Sequence, residues 1–269
     1  MIQASERSLT ALTIGGSDSA GGAGIQADLK TFQHFAVHGA SVITCVTAQN
    51  SLGVSHVEPL SGESVAQQIE ALRSDLVIPA LKTGMLYSSG LVEAVADSLH
   101  AFTGTIVVDP VMVSRAGSRL LRDDAVAAYA QHLFRLATLL TPNLQEAALL
   151  TGREIRGKAD VECAAESLLE RGPKAVLIKG GGLPELAGQD FFCSVDGPGV
   201  WRSQPAIATP HTHGTGCTLS AAITAALAQG ASLADAVIQA KVYLNDALRR
   251  TVVFGDGPGC VGHRLEPRA

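Results

Sequence analysis

The sequence contains few aromatic residues and no long apolar run. Aromatic side chains make up 4% of the 269 residues and hydrophobic residues 46%, so a core must consist mainly of Ala, Val, Leu and Ile. Such a core is typical of a buried parallel sheet flanked by helices. Gly, Pro or a charged residue interrupts every apolar stretch before the roughly 20 residues that a transmembrane helix needs. We therefore expect no membrane partner, and no signal peptide, because the first residues lack a charged segment followed by an apolar one.

The chain also lacks a basic cluster and a paired cysteine motif. The net charge is −5, and no run of Lys and Arg would suit a nucleic-acid backbone, so we expect no nucleic-acid partner. The five cysteines are odd in number, widely spaced and without a CxxC pair, which predicts neither a disulfide framework nor a zinc site. A reduced, cytoplasmic location is therefore expected.

Short β-branched segments alternate with longer amphipathic segments. The predicted strands are 9–14, 41–47, 81–83, 105–109, 138–140 and 175–179. The predicted helices are 24–35, 63–75, 91–101, 123–136, 161–171, 216–229 and 233–250. Segments 191–195 and 199–203 should form a hairpin around the turn sequence at 196–199. This alternation predicts an α/β fold with a mostly parallel, helix-covered sheet. No Pro/Ser-rich linker interrupts it, so we expect one domain over residues 1–269.

The first glycine cluster, residues 15–24, follows a predicted strand and precedes a predicted helix. Ligands bind at the carboxyl ends of parallel strands in such sheets. The glycines match neither the GxGxxG fingerprint nor a P-loop, because no Gly-Lys-Ser/Thr follows. The polar residues Asp18 and Asp28 favour a ligand site, and a flexible strand-to-helix connection is the alternative.

The second cluster, residues 211–217, leads into an apolar helix. Its glycines allow successive backbone N–H groups to converge where the helix dipole adds positive potential, which predicts an anion-binding site. Phosphoryl transfer requires such a site, because the charge on the transferred group must be neutralised. A glycine-rich helix start without a ligand is the alternative.

Two further strand ends carry polar residues. Asn143 and Glu146 have the spacing of a capping box, which could account for both residues without any ligand. They could equally face a metal–phosphate site. Lys179 ends another strand before three glycines, either as a solvated strand end or as a cation beside a phosphate. The common placement of these residues at strand carboxyl ends favours one shared site.

The chain resembles the hydroxymethylpyrimidine/phosphomethylpyrimidine kinases of thiamine biosynthesis, which belong to the ribokinase-like superfamily. The resemblance extends from about Leu9 to Thr251. Its most specific segments are 14–30 (IGGSDSAGGAGIQADLK), 47–50 (TAQN), 82–86 (KTGML), 109–112 (DPVM), 141–143 (TPN) with Glu146, and 213–220 (HGTGCTLS).

The resemblance implies a three-layer αβα sandwich, the use of ATP with Mg²⁺, and a homodimer. It implies two successive reactions in one site: phosphorylation of 4-amino-5-hydroxymethyl-2-methylpyrimidine and then of its monophosphate. The implied substrate-binding residues are Gln49, Asp28, Met85, Val111 and Gly16. The implied nucleotide and metal residues are Asn143, Lys179, Asp109 and Glu146, with Mg²⁺ on Asp109 and Glu146. The implied catalytic residues are Gly214, Thr215 and Gly216, which form the anion hole, and Cys217.

Physical chemistry supports the Gln49 and Cys217 assignments. An amide such as Gln49 offers the acceptor and donor that match an aminopyrimidine edge, and Met85 and Val111 provide apolar faces for a flat ring. Cys217 stands where the superfamily carries an aspartate base. At a helix N-terminus its thiolate should be favoured, which would make it a general base. The alternative is a small apolar residue between helix and sheet.

Two rival functions and one departure from the family pattern remain. Ala206 replaces an arginine that usually precedes the His-Gly-Thr-Gly-Cys motif, which puts nucleotide or dimer contacts of that arginine in doubt. A pyridoxal kinase is the nearest rival, because its substrate is also a heterocyclic alcohol and a few contacts of ~1–3 kcal/mol decide between rings. A non-catalytic binding protein that keeps the pocket is the rival of another class.

Overall fold

A nine-stranded sheet forms the centre of the computed structural model, which describes residues 8–112 and 123–263. The strands are β1 (Thr10–Asp18), β2 (His38–Gln49), β3 (Val54–Pro59), β4 (Ala80–Thr83), β5 (Thr105–Val108), β6 (Leu139–Leu140), β7 (Ala175–Lys179), β8 (Gln189–Ser194) and β9 (Gly197–Ser203). Their order is β3-β2-β1-β4-β5-β6-β7-β8-β9. Parallel pairing joins the six neighbours β2, β1, β4, β5, β6 and β7, whereas β3, β8 and β9 pair antiparallel. The predicted mostly parallel sheet is confirmed.

Helices cover both faces of this sheet. They are α1 (Gly24–His34), α2 (Gly62–Arg73), α3 (Ser89–Leu99), α4 (Asp123–Ala128), α5 (Leu144–Thr151), α6 (Lys158–Leu169), α7 (Thr215–Ala228) and α8 (Leu233–Arg249). Alternate strand residues enter two separate cores: Ile106 and Val108 of β5 pack in one, and Val107 packs in the other. The first core lies under α2 to α6 and the second under α1, α7 and α8. This is the predicted three-layer αβα sandwich.

The edges of the sheet differ from the prediction in two places. The sequence analysis missed β3, because Ser55, His56 and Glu58 give this edge strand no continuous apolar run, and such edges are exposed. The hairpin turn lies at residues 195–196 rather than 196–199, since Gly197 already pairs with Ser194. Gly199 instead lies within β9 with the ring of Phe191 against it, so its role there is close packing.

The predicted helix 123–136 is not one regular helix. After α4 the chain forms a π-helical turn at Tyr129–Leu133 and a 3₁₀ turn at Phe134–Leu136. Tyr129 is fully buried, and its hydroxyl donates to the carbonyl of Gly84 at 3.1 Å. The wider turn thus accompanies a buried polar contact that hydrophobic periodicity does not encode.

The strand order creates a crevice at the carboxyl edge of the sheet. The chain moves from β1 to β2 on one side and reaches β4 on the other side of β1, and ligands bind at such switch points. No helix within residues 8–112 and 123–263 is both long and apolar enough to cross a membrane.

Candidate active site

A cavity of about 800 Å³ opens at the carboxyl edge of the parallel strands. Every site residue predicted from the sequence lines it: Gly16, Asp28, Gln49, Met85, Asp109, Val111, Asn143, Glu146, Lys179, Gly214, Thr215, Gly216 and Cys217. These residues come from sequence positions 16 to 217, so the parallel topology brings them together. Their individual roles stay predictions. Ala206, which replaces the family's arginine, is exposed and is not among the lining residues.

The first glycine loop is closed around the carboxylate of Asp18. Oδ1 accepts from the N–H of Ala20 at 2.9 Å, and Oδ2 accepts from the N–H groups of Gly22 at 3.0 Å and Ala23 at 2.7 Å. His213 Nε2 lies 3.0 Å from the same Oδ2. Burial opposes ionisation, but the contact with His213 and the backbone hydrogen bonds outweigh it and lower the pKa of Asp18 below its ordinary value.

The second glycine loop lies directly against the first. Gly214 is the N-cap of α7 with φ of 82°, and a Cβ there would collide with the carbonyl oxygen of Gly22. Both the backbone angle and the close approach therefore require glycine. No side chain of the described residues caps α7. The N–H of Thr215 donates to the carbonyl of Thr212 at 3.3 Å, which leaves the N–H groups of Gly216 and Cys217 at the cavity. The predicted arrangement for an anion site is present.

A buried charge cluster lies beside this helix start. Asp109 is 1% exposed, and its Oδ1 accepts from Lys179 Nζ at 2.9 Å and from Thr141 Oγ1 at 3.2 Å. Its Oδ2 accepts from Ser220 Oγ of α7 at 2.9 Å. Burial alone would raise the pKa of Asp109, but Lys179 and Lys82 outweigh it and lower the pKa below its ordinary value. Asp109 is therefore an anion at neutral pH.

Asn143 and Glu146 form the predicted capping box at the start of α5. Asn143 Oδ1 accepts from the N–H of Glu146 at 2.9 Å, and Glu146 Oε2 accepts from the N–H of Asn143 at 2.8 Å. Both residues also line the cavity, so capping and ligand binding do not exclude each other. Burial, opposed by Lys179 and reinforced by the charge of Asp109, raises the pKa of Glu146 to about 7.

These carboxylates fit a nucleotide-borne Mg²⁺. Among the residues that the structure describes, no group of three or more His, Cys, Asp or Glu side chains could hold a metal ion. Mg²⁺, however, is usually bound through one or two carboxylates together with substrate phosphates and water. Asp109 and Glu146 are buried and close enough for the charge of one to raise the pKa of the other. A cation at these two carboxylates would offset their repulsion.

Lys82 is a site residue that the sequence analysis did not single out. It lies on β4, is fully buried, and its Nζ donates to Asp28 Oδ1 at 2.7 Å. Thr13 Oγ1 donates to Asp28 Oδ2 at 2.7 Å, so both oxygens of Asp28 already have partners. Burial lowers the pKa of Lys82, but Asp28, Cys217 and Asp109 outweigh it and raise the pKa above its ordinary value. A lysine within the short apolar strand 80–83 was the signal in the sequence.

The expectation that the helix N-terminus favours the thiolate of Cys217 is wrong. Burial raises the pKa of the Cys217 thiol to about 12, even though Lys82 and the N–H of Gly24 act in the opposite direction. Asp28 and Asp109 reinforce the burial effect. The position at a helix N-terminus is visible in the sequence, whereas the proximity of these buried carboxylates is not. Cys217 is therefore a neutral thiol at neutral pH.

The other end of the cavity combines the paired charges of Asp28 and Lys82 with polar and apolar side chains. The Gln49 amide lies 3.2 Å from His213 Nε2 and 3.4 Å from Thr47 Oγ1. Gly16 lies where a Cβ would come within 2.9 Å of Cys45 Sγ and 3.7 Å of Met85, so the backbone there is held close to neighbouring side chains. Met85, Val111 and Gly16 thus border a mainly apolar space beside one amide, which suits a flat heterocycle.

The fold and the cavity define an α/β kinase of the ribokinase-like class. The family model of phosphomethylpyrimidine kinase matches residues 18–262. The hydroxymethylpyrimidine/phosphomethylpyrimidine kinases of Synechococcus elongatus and Rhizobium meliloti are 48% identical over 254 residues and 50% identical over 257 residues. Both comparisons cover 94% of this chain and 96% of the relative. The chain belongs to the phosphomethylpyrimidine kinase family.

A solved structure adds to this comparison. The structure of the pyridoxal kinase from Staphylococcus aureus in complex with AMP-PCP and pyridoxal has a TM-score of 0.88 and 33% sequence identity with this chain. The superposition covers 96% of this chain and 94% of the other. This chain therefore shares its fold with a pyridoxal kinase.

Proposed function

We propose that this chain transfers the γ-phosphoryl group of ATP to 4-amino-5-hydroxymethyl-2-methylpyrimidine. It then phosphorylates the monophosphate to the diphosphate, two steps of thiamine biosynthesis. One observation carries the proposal: the uncapped start of α7 at Gly214–Cys217 opens into the same cavity as Lys179 and the Asp109/Glu146 pair. Membership of the phosphomethylpyrimidine kinase family supports the substrate.

The charged half of the cavity would bind MgATP. Asp109 and Glu146 would hold Mg²⁺, which neutralises phosphate charge when it is bound, and Lys179 would contribute a further positive charge. The N–H groups at the start of α7 would stabilise the transferred phosphoryl group. Asn143 would contact the nucleotide phosphates while it keeps α5 capped. Most of the catalysis would then come from positioning and charge stabilisation, as is usual for phosphoryl transfer.

The apolar half would bind the acceptor alcohol. Gln49 would pair with the ring nitrogen and amino group of the pyrimidine, and Met85 and Val111 would contact the faces of the ring. Gly16 would leave room for the ring near the β1 end. Asp28 would act through Lys82, because both of its oxygens are already engaged.

Cys217 would be the general base. As the hydroxymethyl oxygen bonds to the γ-phosphorus and the bridging P–O bond to ADP breaks, the hydroxyl proton would pass to Cys217 Sγ. Because the pKa of its thiol is about 12, Cys217 would first have to release its own proton to water in the cavity. The buried charge of Lys82 lowers the pKa of this thiol and would support its ionised form.

A pyridoxal or dual-specificity kinase is the second candidate. The similarity to a pyridoxal kinase determined with pyridoxal favours this alternative. The homodimer, the cytoplasmic location and the single domain over residues 1–269 stay predictions.

Product analysis tests the proposed function. Purified protein is incubated with ATP, Mg²⁺ and the pyrimidine alcohol, and mass spectrometry follows the products. We expect the monophosphate first and then the diphosphate, with one ADP formed for each phosphorylation. No ADP formation with either the pyrimidine alcohol or pyridoxal would instead support a non-catalytic binding protein.

A further inference from the structure

Three polar side chains join the two glycine loops to the acceptor half of the cavity. His213 Nε2 lies 3.0 Å from Asp18 Oδ2 and 3.2 Å from the amide of Gln49. Asp18 comes from the first loop, His213 from the second, and Gln49 from the end of β2. Neither Asp18 nor His213 has a role in the mechanism above, so this contact needs its own explanation.

The imidazole of His213 is held in one orientation. A Cβ at Gly22 would lie 2.7 Å from His213 Cδ2 and 2.8 Å from Cys260 Cβ, so the ring is packed against the first loop. The backbone is fixed as well, because Val261 N–H donates to the carbonyl of His213 at 3.1 Å. The C-terminal segment around residues 259–261 therefore holds the backbone of this loop in place.

The hydrogen-bond partner of His213 Nε2 determines whether this nitrogen carries a hydrogen. An ionised carboxylate can only accept hydrogen bonds. Asp18 Oδ2 already accepts from the N–H groups of Gly22 and Ala23, and these contacts favour the carboxylate form. A ring nitrogen 3.0 Å from this oxygen must therefore carry its hydrogen. Nε2 of His213 is a donor.

The polarity of the Gln49 amide then follows from its two neighbours. Thr47 Oγ1 uses its only hydrogen to donate to the carbonyl of Ser17 at 2.8 Å, so it can only accept from Gln49. His213 Nε2 has one hydrogen and no lone pair, so it can share that hydrogen between Asp18 Oδ2 and an amide oxygen but cannot accept from an amide N–H. The amide thus lies between this shared donor and an acceptor, Thr47. Its oxygen must face His213 and its NH₂ group must face Thr47. The opposite assignment, with the amide nitrogen 3.2 Å from His213 Nε2, would set two N–H groups against each other.

We propose that His213 is a positioning residue that fixes the polarity of the Gln49 amide and thereby the orientation of the acceptor ring. This inference rests on the proposed function. One N–H and one oxygen lone pair of Gln49 remain for a ligand. They match an aminopyrimidine edge in one direction only, with the amino group at the His213 end. In this substrate the hydroxymethyl group is next to the amino group, so this orientation directs it towards the Gly214–Cys217 loop.

Kinetics with two acceptors test the inference. The probes are the pyrimidine alcohol and its analogue without the 4-amino group, and the variants are His213→Phe, which keeps a planar ring, and Gly22→Ala, which displaces the imidazole. Gly90→Ala is the control, because a Cβ there meets no atom of the described residues within 4 Å. The parent and Gly90→Ala should prefer the amino compound about tenfold in kcat/KM, as one hydrogen bond can provide. Both test variants should lose most of this preference, while the KM for ATP changes less than about twofold.

A direct observation complements the kinetics. In ¹⁵N-histidine NMR spectra, the resonances that are absent from His213→Phe belong to His213. In the parent protein, their chemical shifts should be those of an imidazole with a protonated Nε2. An unprotonated Nε2 would overturn the inference whether or not the variants are active. A folded His213→Phe enzyme that keeps the parent's preference for the amino compound would also overturn it. Failure of the proposed function looks different, because the parent itself would then phosphorylate no acceptor.

Discussion

The two halves of the cavity are built in opposite ways. The nucleotide half contains buried charges that are already paired, such as Asp109 with Lys179 at 2.9 Å and Glu146 within its capping box. The acceptor half contains the amide of Gln49 and the apolar side chains of Met85 and Val111. Its buried Asp28 and Lys82 pair with each other at 2.7 Å. Charge in the first half can stabilise a reaction that moves charge, whereas contacts in the second half select among neutral rings.

This contrast predicts that variants of the two halves change different kinetic properties. Changes in the charged half should reduce turnover and alter the Mg²⁺ requirement for any acceptor. Changes in the apolar half should alter the preference among acceptors and leave ATP binding intact. A variant that breaks this division would show that the two halves are not independent.

The largest effect is expected at Cys217, where the halves meet. Cys217→Ala should reduce turnover about 10²–10⁴-fold, the usual contribution of a general base. Cys217→Ser should also be poor, because a hydroxyl is a much weaker acid than a thiol. Steady-state kinetics give turnover, and calorimetry should show that ATP and the pyrimidine still bind, since the backbone N–H groups remain. A folded Cys217→Ala enzyme within a few-fold of the parent rate would remove the base assignment.

Alkylation tests the protonation state of the same residue. Because burial raises the pKa of Cys217 to about 12, iodoacetamide at pH 8 should react first with exposed Cys163 and only slowly with Cys217. Cys163→Ser, which lacks the exposed thiol, is the matched control. The rate at which iodoacetamide inactivates this variant should increase up to high pH, and substrate should slow the inactivation. Rapid modification of Cys217 in the empty protein at pH 8 would mean that its thiolate is stabilised more strongly than the structure indicates.

Glu146→Gln tests the charged half. Loss of one carboxylate should reduce turnover by about 10–100-fold, a range typical of residues that support a metal site, and raise the Mg²⁺ concentration needed. Acceptor affinity should hardly change. Ser61→Ala is the control: it removes the N-cap of α2, far from the cavity, and should cost only stability, about 1 kcal/mol. If Glu146→Gln behaves like this control at limiting Mg²⁺, the residue is only a helix cap.

Gln49→Leu tests the apolar half. The substitution keeps the approximate size but removes both polar groups, so the free energy of pyrimidine binding should weaken by about 1–3 kcal/mol. ATP affinity should be unchanged, which calorimetry can measure for both ligands. Gln67→Leu on the exposed face of α2 is the matched control. Equal losses for both ligands would indicate misfolding, and unaltered pyrimidine affinity would exclude Gln49 from recognition.

The smallest effect concerns stability against pH. The pKa of Glu146 rises from 4.5 to about 7 on folding, so its contribution to stability is complete below pH 4.5 and is lost as the pH rises through 7. The melting temperature of the ligand-free parent should therefore fall by a few degrees more than that of Glu146→Gln between pH 5 and about 8. Parallel pH profiles of the two proteins would contradict the raised pKa.

The parts of this architecture that the sequence could predict are local or periodic. Alternating apolar segments predicted the sheet, and the spacing of Asn143 and Glu146 predicted the capping box that the structure contains. The glycine clusters predicted one loop after a strand and one at the start of a helix. These signals lie within a few residues of one another, so no knowledge of tertiary contacts was needed.

The remaining features depend on contacts between distant segments. Nearby Asp28, Cys217 and Asp109 raise the pKa of Lys82 despite its burial, and burial raises the pKa of the Cys217 thiol. The contact between Asp18 and His213 joins residues 195 positions apart. Hydrophobic periodicity and motif spacing carry no information about such pairs. The β3 edge was missed for a simpler reason, since an exposed edge strand needs few apolar residues.

The central claim is that this site phosphorylates the pyrimidine alcohol in preference to a pyridine alcohol. The most direct measurement is a competition: equal concentrations of 4-amino-5-hydroxymethyl-2-methylpyrimidine and pyridoxal, limiting ATP with Mg²⁺, and product ratios determined by mass spectrometry at early times. We expect the pyrimidine mono- and diphosphates to exceed pyridoxal phosphate by about tenfold or more, as one or two polar contacts can provide. Equal amounts, or an excess of pyridoxal phosphate, would contradict the claim.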